Sequence, residues 1–337
     1  MKILFIGPSY IGDAVITTGL IDHLLRQYPA ARLTIACGST AAPLFRTVPN
    51  LDRVIPMVKN GKVGHWLSLW RQVVGTHWDM VVDLRGSGLA WFLRARRRHI
   101  YRARRDMHRT QAVAATLGLR DLPPPLIWTT SEEDAAARHL LPPGAPVIAL
   151  GPTGNWPPKL WPADRFVELV RRLTGPDGPL PSARIVVLAA AHERPIVEPL
   201  LAGLPPERTI DLVGRLSLTG VCAVLKRASL FIGNDSGPLN LAVASGIPAV
   251  GLFGPTRGVF GPAVGPIPAP WAPKAAAIRP PEAAAIVRDT PIEGPLGRKL
   301  MDGLTVDMAE RGTRELLARL QDAGNGSNRA GGHGPGL

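Results

Sequence analysis

Residues Leu230–Thr256 read LFIGNDSGPLNLAVASGIPAVGLFGPT. The apolar run from Leu230 to Gly233 has the pattern of a strand buried on both faces. A sharp turn, Asn234-Asp235-Ser236-Gly237-Pro238, follows it. Pro238 suits the first turn of a helix, where its missing N–H would be unpaired in any case. Asp235 or Ser236 can cap that helix. A short helix of small and apolar residues then reaches Gly246-Ile247-Pro248, and a second strand ends at Phe253-Gly254-Pro255-Thr256. Strand, turn, helix and strand in this order make the repeating unit of a parallel α/β sheet. Free N–H groups at the helix start form a site for an anion, above all phosphate. A plain structural crossover would carry the same pattern, so partners elsewhere in the chain must decide between the two.

Working outward, the chain shows two similar halves. The first opens with the strand Lys2–Gly7, then a helix from about Gly12 to Gln27 whose Ile16, Leu20 and Leu24 recur at helical spacing. Strands are expected at Ala31–Ala36, Val54–Met57 and Met80–Leu84, with a helix over Val63–Val74 and a short strand at Ile100-Tyr101. Linker residues gather at Leu141–Pro146. The pattern restarts with the strand Val147–Leu150, a helix from about Pro162 to Leu173, the strand Ile185–Leu188 and a helix over Thr219–Arg227. Strands alternating with helices predict mostly parallel sheets covered on both faces, with ligands at the C-terminal strand edges. The domains are expected at 1–143 and 147–322. Gly265–Pro281 reads as an irregular Pro- and Ala-rich excursion, Val306–Leu320 as a last helix, and 323–337 as a disordered Gly/Asn/Ser tail.

At 337 residues the chain has room for two domains, and its 45% apolar content is enough for packed cores. Cys37 and Cys222 lie far apart, match no metal or redox spacing, and read as reduced packing residues. The N-terminal apolar run is broken by Gly7-Pro8 and followed by Asp13, unlike a signal peptide. No apolar run approaches the roughly 20 residues that span a bilayer. A cytoplasmic protein is expected.

The net charge of +13 is uneven. Residues 1–125 hold 18 Lys/Arg against 7 Asp/Glu, a surplus of 11. Eight arginines (Arg94, Arg96, Arg97, Arg98, Arg102, Arg104, Arg105 and Arg109) fall within sixteen residues. A solvated basic face, an anionic ligand or membrane surface, and nucleic acid all compete to explain them. Clustered basic residues are drawn to anionic lipid. Nucleic acid is disfavoured, since no recognised reading module accompanies the cluster and aromatic residues are only 5% of the chain.

The loops carry the chemistry. Gly12-Asp13 puts a carboxylate at a helix start, where the helix dipole alone would favour it. The same carboxylate could act as a general base toward a hydroxyl. In the second half Gly151-Pro152-Thr153-Gly154-Asn155 is followed by Lys159-Leu160-Trp161-Pro162. Thr153 offers a hydroxyl and Lys159 a mobile ammonium for phosphate oxygens, although a lone lysine is more often a surface group. Glu193, after the strand Ile185–Leu188, could accept from ribose hydroxyls or simply face solvent; His192 reads as structural or exposed. The first loop, Gly7-Pro8-Ser9-Tyr10-Ile11-Gly12, lacks G-x-G-x-x-G spacing, which disfavours a dinucleotide-dependent dehydrogenase.

Taken together these residues resemble glycosyltransferase family 9, the lipopolysaccharide heptosyltransferases, over nearly the whole chain. The matching marks are Gly12-Asp13, Asp83-Leu84-Arg85-Gly86, Lys159-Leu160-Trp161-Pro162, Gly233-Asn234-Asp235-Ser236-Gly237-Pro238, Phe253-Gly254-Pro255-Thr256, and Met301 before a C-terminal helix. The Asp-Ser-Gly-Pro block with its downstream Phe-Gly-Pro-Thr is the specific part. The resemblance implies the GT-B architecture: two facing Rossmann-like, doubly wound α/β domains with an interdomain cleft. It implies that the C-terminal domain binds an ADP-linked heptose and the N-terminal domain an anionic glycolipid acceptor.

Carried over by position, Asp13 would deprotonate the acceptor hydroxyl, which displaces ADP with inversion. Lys159 would stabilise charge on the leaving diphosphate. Thr153, Gly154, Ser236 and Gly237 would hold phosphate, Asp235 would orient sugar hydroxyls, and Glu193 would bind ribose or base. Arg85, Arg94, Arg97 and Arg98 would face acceptor carboxylates, lipid phosphates or the inner face of the cytoplasmic membrane. Asn240 stands where the family usually has histidine; an amide keeps hydrogen bonding but does not ionise. No metal and no cofactor are expected, since a lysine and a helix start can neutralise the diphosphate; a monomer is expected. The alternatives are a non-catalytic nucleotide- or glycolipid-binding descendant and a transferase using another nucleotide sugar.

Overall fold

The computed structural model describes residues 1–58, 64–102, 109–254, 272–281 and 295–330; the side chains of 109, 295–297 and 324–330 are outside that description. The chain divides into two compact units, Met1–Pro142 with Leu216–Lys226, and Pro143–Arg215 with Arg227–Leu337.

The first unit is built on β1 (Lys2–Ile6), β2 (Arg32–Gly38), β3 (Leu51–Met57), β4 (Trp78–Asp83) and β5 (Ala95–Ile100). These pair in the order β3-β2-β1-β4-β5, every pairing parallel. Its helices are α1 (Ile11–Gln27), α2 (Gly64–Val73), α3 (Arg109–Ala115), α4 (Ser131–Leu140) and, from later in the chain, α7 (Leu218–Leu225). Ile3, Leu4, Phe5 and Ile6 are fully buried, as consecutive residues of a strand covered on both faces must be. The order 3-2-1-4-5 places the switch point between β1 and β4, where the crossovers change direction and ligands of such sheets bind.

The second unit contains β6 (Val147–Gly151), β7 (Arg184–Val187), β8 (Thr209–Asp211), β9 (Leu230–Asn234), β10 (Ala249–Leu252) and β11 (Ala275–Ile278). Their order, β11-β10-β9-β6-β7-β8, is again wholly parallel. Around the sheet lie α5 (Ala163–Thr174), α6 (Arg194–Gly203), α8 (Gly237–Ala244), α9 (Pro295–Asp302) and α10 (Val306–Ala330). Here the switch point falls between β6 and β9. A row of glycines crosses it: Gly151, Gly233 and Gly251 are register partners on β6, β9 and β10. A β-carbon on Gly233 would lie 2.6 Å from the Gly151 carbonyl oxygen, and one on Gly251 would lie 2.7 Å from Leu239 Cδ2. One on Gly151 would lie 3.2 Å from Pro238 Cβ. The first turn of α8 therefore packs directly on the strand ends.

Several elements differ from the sequence expectation. β5 is longer than Ile100-Tyr101 and takes in Arg96, Arg97 and Arg98. Charged residues hide a strand from periodicity, and they are what an edge strand tolerates. Within the expected irregular excursion, Ala275–Ile278 is a strand, paired to β10; the part at 265–271 lies outside the described residues. The last helix continues past Leu320 to Ala330, so the first part of the tail expected to be disordered is helical, because extending a nucleated helix costs little per residue; 331–337 lie outside the description. The helix expected over Thr219–Arg227 is α7, and it belongs to the first unit although chain order groups it with the second half. Cys37 and Cys222 are buried and unbridged, and burial pushes the Cys37 thiol up to about 12. No described helix is long and apolar enough to cross a membrane.

Glu133 fastens α7 to α4. Its carboxylate accepts from Thr219 Oγ1 at 2.5 Å and Ser217 Oγ at 2.8 Å, while Oε2 caps the Thr130 N–H at 3.1 Å. Burial alone would raise its pKa, but these three donors outweigh burial and hold it below the usual carboxylate range. The depressed value means that the stabilisation is complete above the ordinary glutamate pKa and is lost as pH falls through the lowered one. Glu133→Ala should therefore cost roughly 1–3 kcal/mol near neutrality, and urea melts should show the difference from wild type closing in acid. Gly233→Ala should cost roughly 1–3 kcal/mol by overpacking. Gly75→Ala, at an exposed glycine with nothing within 4 Å of its β-carbon position, is the control that should leave stability nearly unchanged.

Candidate functional site

The loops after β6 and β9 build one cluster in the second unit. β9 ends in Asn234, which is fully buried. Its Nδ2 donates to the Pro152 carbonyl at 2.8 Å, and its Oδ1 accepts from the Trp161 N–H at 3.2 Å. One amide thus holds both ends of the 152–161 loop against the start of α8. Trp161 is itself anchored, 2% exposed, with Nε1 donating to the Leu304 carbonyl at 2.8 Å. Between these fixed points Pro157–Lys159 form a 3-10 turn, its geometry set by two prolines of restricted φ.

That turn presents Lys159 to Asp235, with Nζ 3.0 Å from Oδ2. The two side chains are 18% and 20% exposed, so the pair is half-buried and open on one side. Ser236 is the N-cap of α8, yet its side chain makes no capping bond. Its Oγ is buried and has no hydrogen-bond partner. An orphaned hydroxyl beside the positive end of a helix and an ammonium is an arrangement that an oxyanion would complete. Asn240, one turn into α8, donates from Nδ2 to the Ser236 carbonyl at 3.1 Å. Thr153 is 1% exposed on the β6 loop, and Gly154 lies against Lys159 and Leu160. Thr153, Gly154, Lys159, Asp235, Ser236, Gly237 and Asn240 are therefore carried by the two loops of this switch point and the start of α8. Glu193 sits one strand over, in the turn after β7, where it accepts from the Ala190 N–H at 2.8 Å.

In the first unit the same strand-end position holds Asp13 and Arg85. Asp13 lies in the first turn of α1. Arg85 follows β4, donates to Ser9 Oγ at 2.6 Å, and lies 4.9 Å from the centre of the Trp66 ring. Its loop is shaped by the buried Asp83, which accepts from the Arg85 N–H, the Ser87 N–H and the Ser87 hydroxyl. The other expected acceptor residues go elsewhere. Arg94 precedes β5, beside Trp78 at the opposite end of the sheet. Arg97 reaches the Tyr28 hydroxyl at the C-terminal end of α1. Arg98 spends its guanidinium on the carbonyls of Ala90, Leu93 and Ala95 at 2.6–2.9 Å. Of the wider cluster, 103–108 and the Arg109 side chain lie outside the described residues, as do Pro255 and Thr256 of the Phe-Gly-Pro-Thr ending.

Asn234, Ser9, Asp83 and Trp66 are the contributors that sequence reasoning passed over as site residues. Asn234 and Asp83 stood in view within the quoted motifs, but only burial and partners reveal their work. Asn234→Ala should cost roughly 1–3 kcal/mol, because it leaves the buried Pro152 carbonyl and Trp161 N–H unpaired, and should weaken binding of an oxyanion such as inorganic diphosphate by freeing the Lys159 turn. Asn234→Asp keeps an acceptor for Trp161 but offers Pro152 a charged oxygen in place of a donor, so it should not rescue. Urea melts and diphosphate titrations check both; unchanged diphosphate affinity in Asn234→Ala would remove the loop-positioning role.

The model of glycosyltransferase family 9 (heptosyltransferase) matches residues 72–293, well over half of the chain. Lipopolysaccharide heptosyltransferase 2 of Salmonella typhimurium is 25% identical over 297 residues, covering 76% of this chain and 83% of the relative. Lipooligosaccharide heptosyltransferase 2 of Haemophilus influenzae is 25% identical over 359 residues, covering 95% and 100%. The solved structure of E. coli ADP-heptose lps heptosyltransferase II superposes with a TM-score of 0.70 at 20% identity, over 95% of this chain and 100% of that one. That likeness establishes the fold, two parallel-sheet α/β domains of the GT-B class. From the family match over the motif-bearing residues, the chain belongs to glycosyltransferase family 9 and is a glycosyltransferase.

Proposed function

We propose that the protein moves a heptose, or a closely related sugar, from an ADP-sugar to a hydroxyl of a lipopolysaccharide-core glycolipid, with inversion and without a metal ion. The observation that carries this reading is the Lys159–Asp235 pair held at the start of α8, beside the orphaned Ser236 hydroxyl. A diphosphate placed there would draw Lys159 from Asp235, leave that carboxylate able to accept from sugar hydroxyls, and give Ser236 Oγ its missing partner. The relatives are heptosyltransferases of lipopolysaccharide and lipooligosaccharide, which supports the sugar and the acceptor class. The ADP-heptose in the name of the structural neighbour supports the donor.

In this mechanism Asp13 takes the proton of the acceptor hydroxyl. The acceptor oxygen forms a bond to the anomeric carbon as the bond from that carbon to the β-phosphate oxygen breaks. The electron pair leaves with ADP. Lys159 and the α8 N-terminus neutralise the charge that grows on the diphosphate, the electrostatic contribution that usually dominates. Arg85, held by Ser9 and Trp66 at the first unit's strand ends, meets an acidic group of the acceptor. The same reading puts the protein at the inner face of the cytoplasmic membrane, where such an acceptor is anchored.

A thermal-shift screen of nucleotide sugars tests the donor: ADP-sugars at 100 times their dissociation constant should stabilise the protein by about 2.7 kcal/mol over the unliganded chain, and UDP- or GDP-sugars at the same concentration should stabilise it less. Asp13→Asn should lower kcat by about 10²–10⁴-fold with nucleotide affinity kept. Lys159→Ala should lower kcat by about 10²–10³-fold. Full transfer by Asp13→Asn would defeat the base assignment. Nucleotide binding with no turnover across donors and acceptors would instead select a binding descendant, the reading that Asn240 in place of histidine favours.

A further inference from the structure

The connection from β4 to β5 exposes two adjacent aromatic side chains. It is a 3-10 turn, Leu89–Phe92, in which Leu89 and Ala90 are buried but Trp91 is 63% and Phe92 74% exposed. The exposure is not slackness in the chain. Arg98 donates to the carbonyls of Ala90, Leu93 and Ala95, on both sides of the aromatic pair, and Leu93 is buried behind it. The backbone is thus fastened with both rings turned outward. The Arg98 guanidinium also lies 6.0 Å from the centre of the Trp91 ring.

Cations border the rings. Arg94 is exposed two residues on, and the Arg96 side chain is 75% exposed, with Asp79 3.9 Å away as its ion-pair partner among the described residues. Strand alternation puts Arg96 on the same face of β5 as Arg98, hence on the face that carries the aromatic turn. Arg97 points to the opposite face, toward Tyr28.

We propose that Trp91 and Phe92, with Arg94 and Arg96, form the surface by which this protein docks on an anionic bilayer. Aromatic rings settle at the headgroup boundary, and arginines beside them pair with lipid phosphates. Charge complementarity commits the surface to anionic rather than neutral lipid. The position also separates it from the residues at the strand ends: Asp13 and Arg85 lie at the C-terminal ends of β1 and β4, whereas Arg94 pairs beside the start of β4. The inference deepens the membrane part of the proposed function, and its test needs no sugar transfer, so either can fail alone.

The test is co-sedimentation of the full chain with vesicles of mixed phosphatidylglycerol and phosphatidylcholine, against vesicles of phosphatidylcholine alone. Binding should require the anionic lipid and weaken with salt. Trp91→Ser with Phe92→Ser should lower the partition by at least about tenfold without lowering Tm. Arg94→Gln with Arg96→Gln should lower it by about fivefold per charge removed. The Trp91/Phe92 variant should also keep the wild-type transfer rate on a water-soluble, delipidated acceptor. Equal binding to neutral vesicles, no vesicle binding, or full binding by both double variants would overturn the proposal. So would a lost transfer rate on the soluble acceptor, a dimer abolished by the aromatic substitutions, or preferential binding of single-stranded nucleic acid through the same residues.

Discussion

The close approach of α8 to its sheet is the constraint on which the second unit's site depends. It is possible because Gly151, Gly233 and Gly251 stand side by side on neighbouring strands and present no β-carbon to the helix. Phe231 lies over two of them and Leu239 against the third, so the space the glycines leave is filled by α8 and its own support. Moving the helix outward by a methyl group would carry the Ser236–Gly237 start away from the strand ends. The anion-binding character of that start would survive, but its distance to Lys159 would not. Packing and chemistry are joined at this row.

Asn234 performs the complementary task in the plane of the loops. A buried amide with a donor and an acceptor can satisfy a carbonyl and an N–H at once, and here those groups belong to opposite ends of one loop. Its neighbour Asp235 has the opposite nature, being half-buried and engaged with a lysine that a more highly charged ligand can outbid. A structural amide and an ion-paired carboxylate thus sit next to each other in sequence. They differ because a strand end points successive side chains to opposite sides.

The arginines show the same division by position. Arg85 is held at a strand end by Ser9 and Trp66, while Arg98 is consumed in fastening a backbone turn. Arg94 and Arg96 remain exposed. In the sequence Arg94, Arg96 and Arg98 belong to one basic run and differ in nothing but number. Their roles separate because β5 is an edge strand whose faces and ends meet different neighbours, a fact that charge counting does not contain.

What the sequence determined by itself was the architecture and the chemistry-bearing loops. Apolar runs at parallel-strand length alternating with helices of regular period predicted parallel α/β sheets, and the Asn-Asp-Ser-Gly-Pro turn suits a junction where a strand feeds a helix. Asp13, Lys159, Asp235 and Ser236 stood out as candidates at strand-to-helix junctions, but a helix-dipole partner, a surface lysine or a plain cap would read the same way, and only the resemblance to the family singled them out. The tertiary structure alone decided the rest. It put α7 with the first unit, made a strand of the arginine run, paired Lys159 with Asp235 across 76 residues, and turned Trp91 and Phe92 outward. Those outcomes depend on which surfaces meet. Local periodicity reports how a segment divides its own faces between core and solvent, and carries no record of the distant residue that will cover them.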